Sequence, residues 1–324
     1  MITRHLPLPR PIRTRLSLIK RALIWMLKCY STPNKDLVRF QCNVCGSKTC
    51  FPVMELSREQ WSCWRCASTV RFRSVIHALS VELFGRSMPI RDFPYRSDLK
   101  GIGLSDWEGY ADRLPLKLGY VNTFYHQEPF LDITSVDSTR FDEYDFIIST
   151  DVFEHICPPI SSAFENAYRL LKPGGVMIFT VPYVQGSTRE HFPNVREFSV
   201  QLDGKDWVLR GVSADGTVER FSNLTFHGGP GTVVEFRLFG RDSLEADCRA
   251  AGFNINRVYE EAVRQYGIIW NPYAPEDAPY RPLIYGLDTP PWSLMKGERE
   301  AKLPAAQISQ SVASASDRSL IGEE

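Results

Sequence analysis

No apolar run in this 324-residue sequence reaches the roughly 20 residues that span a bilayer. The most apolar early stretch, residues 16–29 (LSLIKRALIWMLKC), is shorter than that and is interrupted by Lys20 and Arg21. It also lacks the small-residue cleavage pattern of an export signal, so the expected location is the cytoplasm. Net charge is missing too, because 38 basic residues balance 38 acidic ones. Phosphate backbones call for an evident basic surface, and the even balance argues against nucleic acid as a partner. No internal repeat at solenoid spacing is present, which excludes a stacked array.

Acidic residues are absent before Asp36, whereas Arg4, Arg10, Arg13, Arg15, Lys20, Arg21 and Lys28 are all present there. This start is a basic arm. Its cationic, partly apolar helix either packs on the protein or makes a reversible peripheral contact in the membrane headgroup region. The rest of the composition, 43% hydrophobic and 23% charged, is that of a globular protein with one full-size core and a smaller module.

The composition changes divide the chain into a basic arm (1–38), a cysteine-rich module (39–75), a connecting helix and linker (76–98), a large domain (99–295) and an Ala, Ser and Gln-rich tail (296–324). The tail has too few large apolar residues to fold and is expected to be disordered. In the connecting segment, Val75, Ile76, Leu79 and Leu83 recur at helical spacing, predicting a helix over 72–84; Pro89 and Pro94 mark the linker.

Two C-x2-C units, Cys42 with Cys45 and Cys63 with Cys66, lie one hairpin apart. Each such turn aims two thiolates at one centre, and two turns complete the tetrahedral sulfur shell that zinc prefers. A zinc ribbon is therefore expected, with Gly46 in the first knuckle and strands at 51–56 and 60–62. Two disulfides or a redox pair are the alternatives; disulfides suit secreted chains, and a redox pair needs only one unit. Cys50 fits no paired knuckle, and Cys29, Cys157 and Cys248 read as ordinary buried thiols. The ribbon either supplies folding energy and positions substrate, or offers Arg65, Arg71 and Arg73 with Trp61, Trp64 and Phe72 as an RNA surface.

In the large domain, residues 144–150 form a continuous apolar run with acidic residues at both ends, as a buried parallel strand does. Asp151 then stands at its carboxyl end, the edge where open α/β sheets bind ligands. Pro158, Pro159, Ser161 and Ser162 supply a helix start, and Ile160, Phe164, Ala167, Tyr168 and Leu171 share one helical face. Lys172-Pro173-Gly174-Gly175 closes that helix, and a second buried strand follows at 176–181.

A strand, then Asp151-Val152-Phe153-Glu154-His155, a helix, Leu170-Leu171-Lys172-Pro173-Gly174-Gly175 and another strand resemble the middle of class I S-adenosylmethionine-dependent methyltransferases. The likeness runs from about residue 99 to 260, ending on the helix, Gly turn and strand of 244–258. It implies a Rossmann-like α/β sheet with helices on both faces and S-adenosylmethionine as cofactor, beside the zinc of the ribbon. Chains that join such a ribbon to this domain also occur near glycan-modifying enzymes, which implies a saccharide or another small hydroxylated acceptor.

The resemblance places the cofactor loop at residues 99–106, with Gly101 and Gly103 for close backbone approach and Ser105 and Asp106 where further glycines are usual. Glu128 is the candidate for the ribose hydroxyls and Asp132 for the adenine amino group after a third strand. So little chain separates those two that no helix fits between them: either one assignment fails or the fold is trimmed. Asp151 completes the cofactor set. On the acceptor side, His155 and His191 are the candidate base or substrate-orienting residues, with His227 also near this edge. Short strands from 198 to 237 predict a hairpin insertion over the site, and Tyr266, Trp270 and Tyr273 are candidate aromatic walls. RNA methylation and a non-catalytic binding protein with the same fold are the competing functions.

Overall fold

The computed structural model describes residues 10–269 and 284–290, with side chains described from Leu16 onward. Trp270, Tyr273 and the tail 296–324 lie outside the described residues.

Helix α1 (Arg10–Ser31) leads into a two-stranded antiparallel hairpin, β1 (Leu37–Gln41) and β2 (Lys48–Pro52). These are the ribbon strands, and they flank the first C-x2-C unit; of the strands expected at 51–56 and 60–62, only residues 51–52 are extended, as the end of β2. The reason is period-2 burial in the earlier segment: Val38 and Phe40 point inward with Phe51, while Arg39 between them points out.

The predicted connector is helix α2 (Val70–Phe84). Thr69 caps its start by accepting the Phe72 N–H, and Gly85, at φ 70°, ends it with a left-handed turn. It then lies on the main sheet. Val75, Ile76, Ala78 and Leu79 share one buried cluster with Cys42 and Cys63 of the ribbon and with Phe146, Ile148, Val176 and Ile178 of the sheet.

The main sheet is built from β3 (Arg96–Leu104), β4 (Leu118–Thr123), β5 (Tyr144–Thr150) and β6 (Leu171–Thr180). Short helix α3 (Glu108–Ala111) follows β3, and α4 (Ser161–Leu170) precedes β6. Beyond β6 come β7 (Tyr183–Val184), β8 (Arg189–Glu190), the antiparallel meander β9 (Val195–Asp203), β10 (Asp206–Ser213) and β11 (Val218–Phe221), and the small hairpin β12 (Phe226–His227) with β13 (Val233–Val234). This is the expected insertion. Strand β14 (Arg237–Gly240), helix α5 (Arg241–Ala250), β15 (Asn254–Tyr259) and β16 (Ile284–Asp288) complete the described chain.

Among the described residues the strand order is β15, β16, β6, β5, β3, β4. Strands β4, β3, β5 and β6 run parallel, and β16 is antiparallel to both its neighbours. Side chains alternate across the sheet: Phe146 and Ile148 face α2, while Ile147, Met177 and Phe179 pack with Ala163, Phe164 and Ala167 of α4 and Leu244 of α5. Helices therefore cover both faces.

The third strand expected before Asp132 is missing. Between β4 and β5 the described chain makes one isolated parallel bridge, Phe124 with Phe130, and then buries Leu131 and Ile133 against the α4 side. The fold is trimmed here, because the short segment reaches the core directly and needs no crossover helix.

Candidate functional site at the carboxyl edge

The four cysteines form one cluster. Cys42 Sγ lies 3.7 Å from Cys66 Sγ, and Cys45 Sγ lies 3.7 Å from Cys63 Sγ. Zinc–sulfur bonds of about 2.3 Å give a sulfur tetrahedron with edges of roughly 3.8 Å, so the spacing fits a tetrahedral metal ion. Both knuckles close alike: Gly46 N–H donates to Cys42 O at 2.7 Å and Ala67 N–H to Cys63 O at 2.8 Å, with positive φ at both donors. All four thiols are free. Fully buried Arg73 stands beside them, donating to Ser68 O, Ser62 Oγ and Gly267 O, and Ser68 Oγ in turn meets Cys42 Sγ at 3.2 Å. One cysteine expectation is corrected: Cys29, read as a plain thiol, is disulfide-bonded to Cys50. The last turns of α1 lie along β2, where Trp25 Nε1–H also donates to Cys50 O.

The side chains considered for RNA contact turn mostly inward. Arg71 and Arg73 are buried, Phe72 stacks on Trp107, Trp61 packs on Phe51 and Trp64 on Trp25; Arg65 alone of the three arginines is exposed. Helix α1 shows solvent an apolar stripe of Leu16, Ile19, Leu23, Leu27 and Tyr30. No described helix is long and apolar enough to cross a membrane.

Between its second knuckle and the first, the ribbon reaches the sheet edge. Asp151 follows β5 with φ 55°, and both its oxygens receive Arg58: Nη1 donates to Oδ2 at 2.8 Å and Nη2 to Oδ1. Arg71 Nε lies 3.4 Å from Oδ2, and Arg71 also makes a bidentate pair with Glu59. Burial alone would raise the Asp151 carboxyl, but the two guanidinium groups outweigh it and hold the group below its usual range. Asp151, a cofactor candidate, is thus engaged by the ribbon. Arg58 and Glu59 carry no motif that marks them in the sequence.

Beside this clasp the turn Phe153–His155 is held rigidly. Phe236 N–H donates to Glu154 O, while fully buried Arg237 donates to Phe153 O, Ile156 O and the Glu190 carboxylate. Glu154 is 1% exposed, and neither of its side-chain oxygens has a hydrogen-bond partner among the described residues. Burial, reinforced by nearby Asp151, pushes its carboxyl well above the ordinary value. His155 Nδ1 pairs with Val234 O at 2.8 Å, its Nε2 lies 3.6 Å from Glu154 Oε1, and its ring centre is 5.4 Å from that of His227. Burial lowers the His155 pKa, favouring a neutral ring. His191 sits apart in the insertion, bonded to Phe236 O through its N–H and to Glu235 O through its ring. The structure therefore joins His155 to His227 and Glu154.

At the neighbouring strand ends the glycines have a packing role. A Cβ on Gly101 would lie 2.1 Å from the Phe146 ring, and one on Gly103 would lie 2.0 Å from Tyr120 Oη and 2.3 Å from Asp106 Oδ2. The cradle is filled by the protein's own side chains. Asp106 is buried and accepts hydrogen bonds from Tyr110 and Tyr120, both at 2.7 Å. Burial pushes its pKa up to about 7 despite those donors. Ser105 is exposed at φ 55°, Glu128 is exposed with Oε2 accepting the Phe130 N–H, and Asp132 is half-buried with Oδ1 accepting both Thr134 N–H and Oγ–H. An adenosine needs carboxylate acceptors for its hydroxyl and amino groups. Those of Glu128 and Asp132 fit that need, while Gly101 and Gly103 lie within β3 and not in a turn, packed beside Phe146, Tyr120 and Asp106.

Residues 117–258 match the family described as Methyltransferase domain. No curated protein matches the chain. Similar solved structures include an S-adenosylmethionine-dependent methyltransferase from Clostridium acetobutylicum, 14% identical, covering 67% of this chain and 90% of that one at TM-score 0.39. A 1,6-didemethyltoxoflavin-N1-methyltransferase from Burkholderia thailandensis is 11% identical, with coverages of 88% and 93% and TM-score 0.35. A sugar N-methyltransferase from a Streptoalloteichus species is 14% identical, with coverages of 66% and 87% and TM-score 0.35. The family match covers β4 through β15, the stretch that carries the Asp-Val-Phe-Glu-His turn and the single reversed strand's neighbours. On that match, residues 117–258 form a methyltransferase domain, set in a mixed α/β sheet and preceded by a four-cysteine cluster.

Proposed function

We propose that the enzyme methylates a hydroxyl of a saccharide or another small hydroxylated acceptor, bound under the β12–β13 hairpin where Glu154, His155 and His227 meet. The observation that carries this reading is the orientation of His155. Its Nδ1 is committed to Val234 O, so the neutral ring keeps the Nε2 lone pair toward the cluster as a proton acceptor. S-adenosylmethionine supplies the methyl group on a positively charged sulfur. With the cofactor bound, the acceptor oxygen would take the methyl group as the carbon–sulfur bond breaks and leaves its electron pair on sulfur, while His155 Nε2 would accept the hydroxyl proton. Glu128, Asp132 and Ser105 hold the adenosine end.

The ribbon's part is structural. Cys42, Cys45, Cys63 and Cys66 would hold zinc, and the inward turn of Arg71, Arg73, Phe72, Trp61 and Trp64 supports internal packing over RNA binding.

The test is calorimetric titration with S-adenosylmethionine beside a methyl-transfer assay on a panel of glycosides. Asp132→Ala should weaken cofactor binding about tenfold or more, and His155→Gln should bind cofactor normally while losing transfer. Undiminished transfer by His155→Gln would remove the proton-acceptor role, and preferential methylation of RNA would overturn the acceptor class.

A further inference from the structure

Glu154 lies buried after β5 with no side-chain hydrogen-bond partner among the described residues. It is a carboxylate 1% exposed, on a turn fixed by Arg237, with both oxygens unpartnered among the described residues. A buried carboxylate without donors is costly, and proteins meet that cost with a hydrogen bond, a bound proton or a cation. Among the described residues no donor is in place. What surrounds Glu154 instead are two imidazoles: His155 Nε2 at 3.6 Å and His227 Nδ1 at 4.0 Å from Oε1. One ligand atom from each of Glu154, His155 and His227 falls within 4.8 Å of the others.

We infer that Glu154, His155 and His227 form a divalent transition-metal site, separate from the four-cysteine cluster. The ligand chemistry is that of two imidazoles and one carboxylate, a set taken by zinc, iron(II) or cobalt(II) with coordination positions left open. The second shell is already built. His155 gives its Nδ1–H to Val234 O, which fixes the tautomer and turns Nε2 inward, as metal-bound histidines are commonly held. His227 Nδ1 lies 4.0 Å from Glu235 Oε1, so a second carboxylate stands at the rim. Asp151 is excluded as a ligand because Arg58 occupies both its oxygens.

Metal–ligand bonds of about 2.1 Å place neighbouring ligand atoms roughly 3.0 to 3.4 Å apart. The 3.6 Å between Glu154 and His155 is already close to this, and rotation of the partly exposed His227 would close its longer 4.0 Å. His227 and Val234 belong to one hairpin, paired through Phe226 with Val234 and His227 with Val233. A bound cation would therefore staple that hairpin to the turn after β5. A cation there would occupy the His155 Nε2 lone pair, so in the metal-loaded protein the cation, in place of that nitrogen, would acidify the acceptor hydroxyl, its proton leaving to solvent; this role rests on the acceptor reading above, whereas the cation site does not.

The experiment is a titration of the zinc-loaded protein with cobalt(II), followed by visible absorption and calorimetry. One further equivalent should bind and give a spectrum without thiolate charge-transfer bands, the sign of nitrogen and oxygen ligands. His227→Ala should weaken this binding at least tenfold while retaining one ribbon zinc per chain, and Glu154→Gln should do the same. His227 lies on a partly exposed hairpin, so its variant tests the site without threatening the core. Absence of a second equivalent, or undiminished cobalt binding by His227→Ala, would overturn the inference. If cobalt binds as described and no glycoside is methylated, the metal site stands and the acceptor reading fails.

Discussion

The guanidinium of Arg58 and the carboxylate of Asp151 face each other through two hydrogen bonds, and both side chains are almost wholly buried, at 4% and 3% exposure. One belongs to the loop between the cysteine pairs, the other to the carboxyl end of β5. The pair ties the ribbon to the catalytic edge, so a fault in either is felt by both. Removing one partner of a buried ion pair leaves an uncompensated charge and typically costs about 3–5 kcal/mol. Arg58→Ala should therefore lose stability of that order in urea unfolding, and Arg58→Ala with Asp151→Asn should recover much of it. Asp151 has a depressed pKa, so its contribution is present above the ordinary carboxyl value, near 4, and fades as pH falls through the folded one. Equal stability of Arg58→Ala and wild type at pH 7 would show the pair to be energetically idle.

Zinc removal should reach further than the ribbon. Helix α2 starts four residues after Cys66 and packs on the sheet through Val75, Ile76 and Leu79, and Arg73 on that helix bonds Gly267 O far along the chain. Structural zinc sites contribute folding energy directly. Chelation of the ribbon metal, or Cys63→Ser, should lower the unfolding temperature of the whole protein in one transition and weaken S-adenosylmethionine binding. Two separate transitions, with the cofactor-binding one unmoved, would mean that the ribbon folds as an independent appendage.

The central block was legible because its signals are local. The apolar run Tyr144–Thr150, the helical face of Phe164 and Ala167 and the Gly turn before β15 each fix an element without reference to distant chain. The cysteine spacing was legible for the same reason. What could not be read depends on contacts between remote segments. Arg58 meets Asp151 across 93 positions, and Cys29 reaches Cys50 only because α1 folds back along β2. Gly101 and Gly103 looked like a cofactor turn, yet their bare Cα atoms make room for Phe146 and Tyr120, whose positions only the packed sheet reveals. His227 outranks His191 beside Glu154 because strand register, not sequence distance, brings the β12–β13 hairpin over that turn.

Asp106 supplies a pH dependence that can be isolated. Its folded pKa, raised to about 7 by burial, lies above the ordinary carboxyl value near 3.9. The folded state therefore holds the proton more tightly than the unfolded chain does. Stability from this group is complete below the unfolded pKa and is lost as pH climbs through the window from about 4 to about 7, at no more than about 1.4 kcal/mol per pH unit. Asp106→Asn cannot titrate, and its amide can accept from one tyrosine hydroxyl and donate to the other, preserving the contacts to Tyr110 and Tyr120. Urea unfolding of both proteins from pH 5 to pH 8 should show wild type losing stability relative to the variant up to about pH 7 and running parallel to it above. Parallel profiles throughout would mean that Asp106 is ionised across the range, with the two tyrosine donors and Arg71 outweighing its burial.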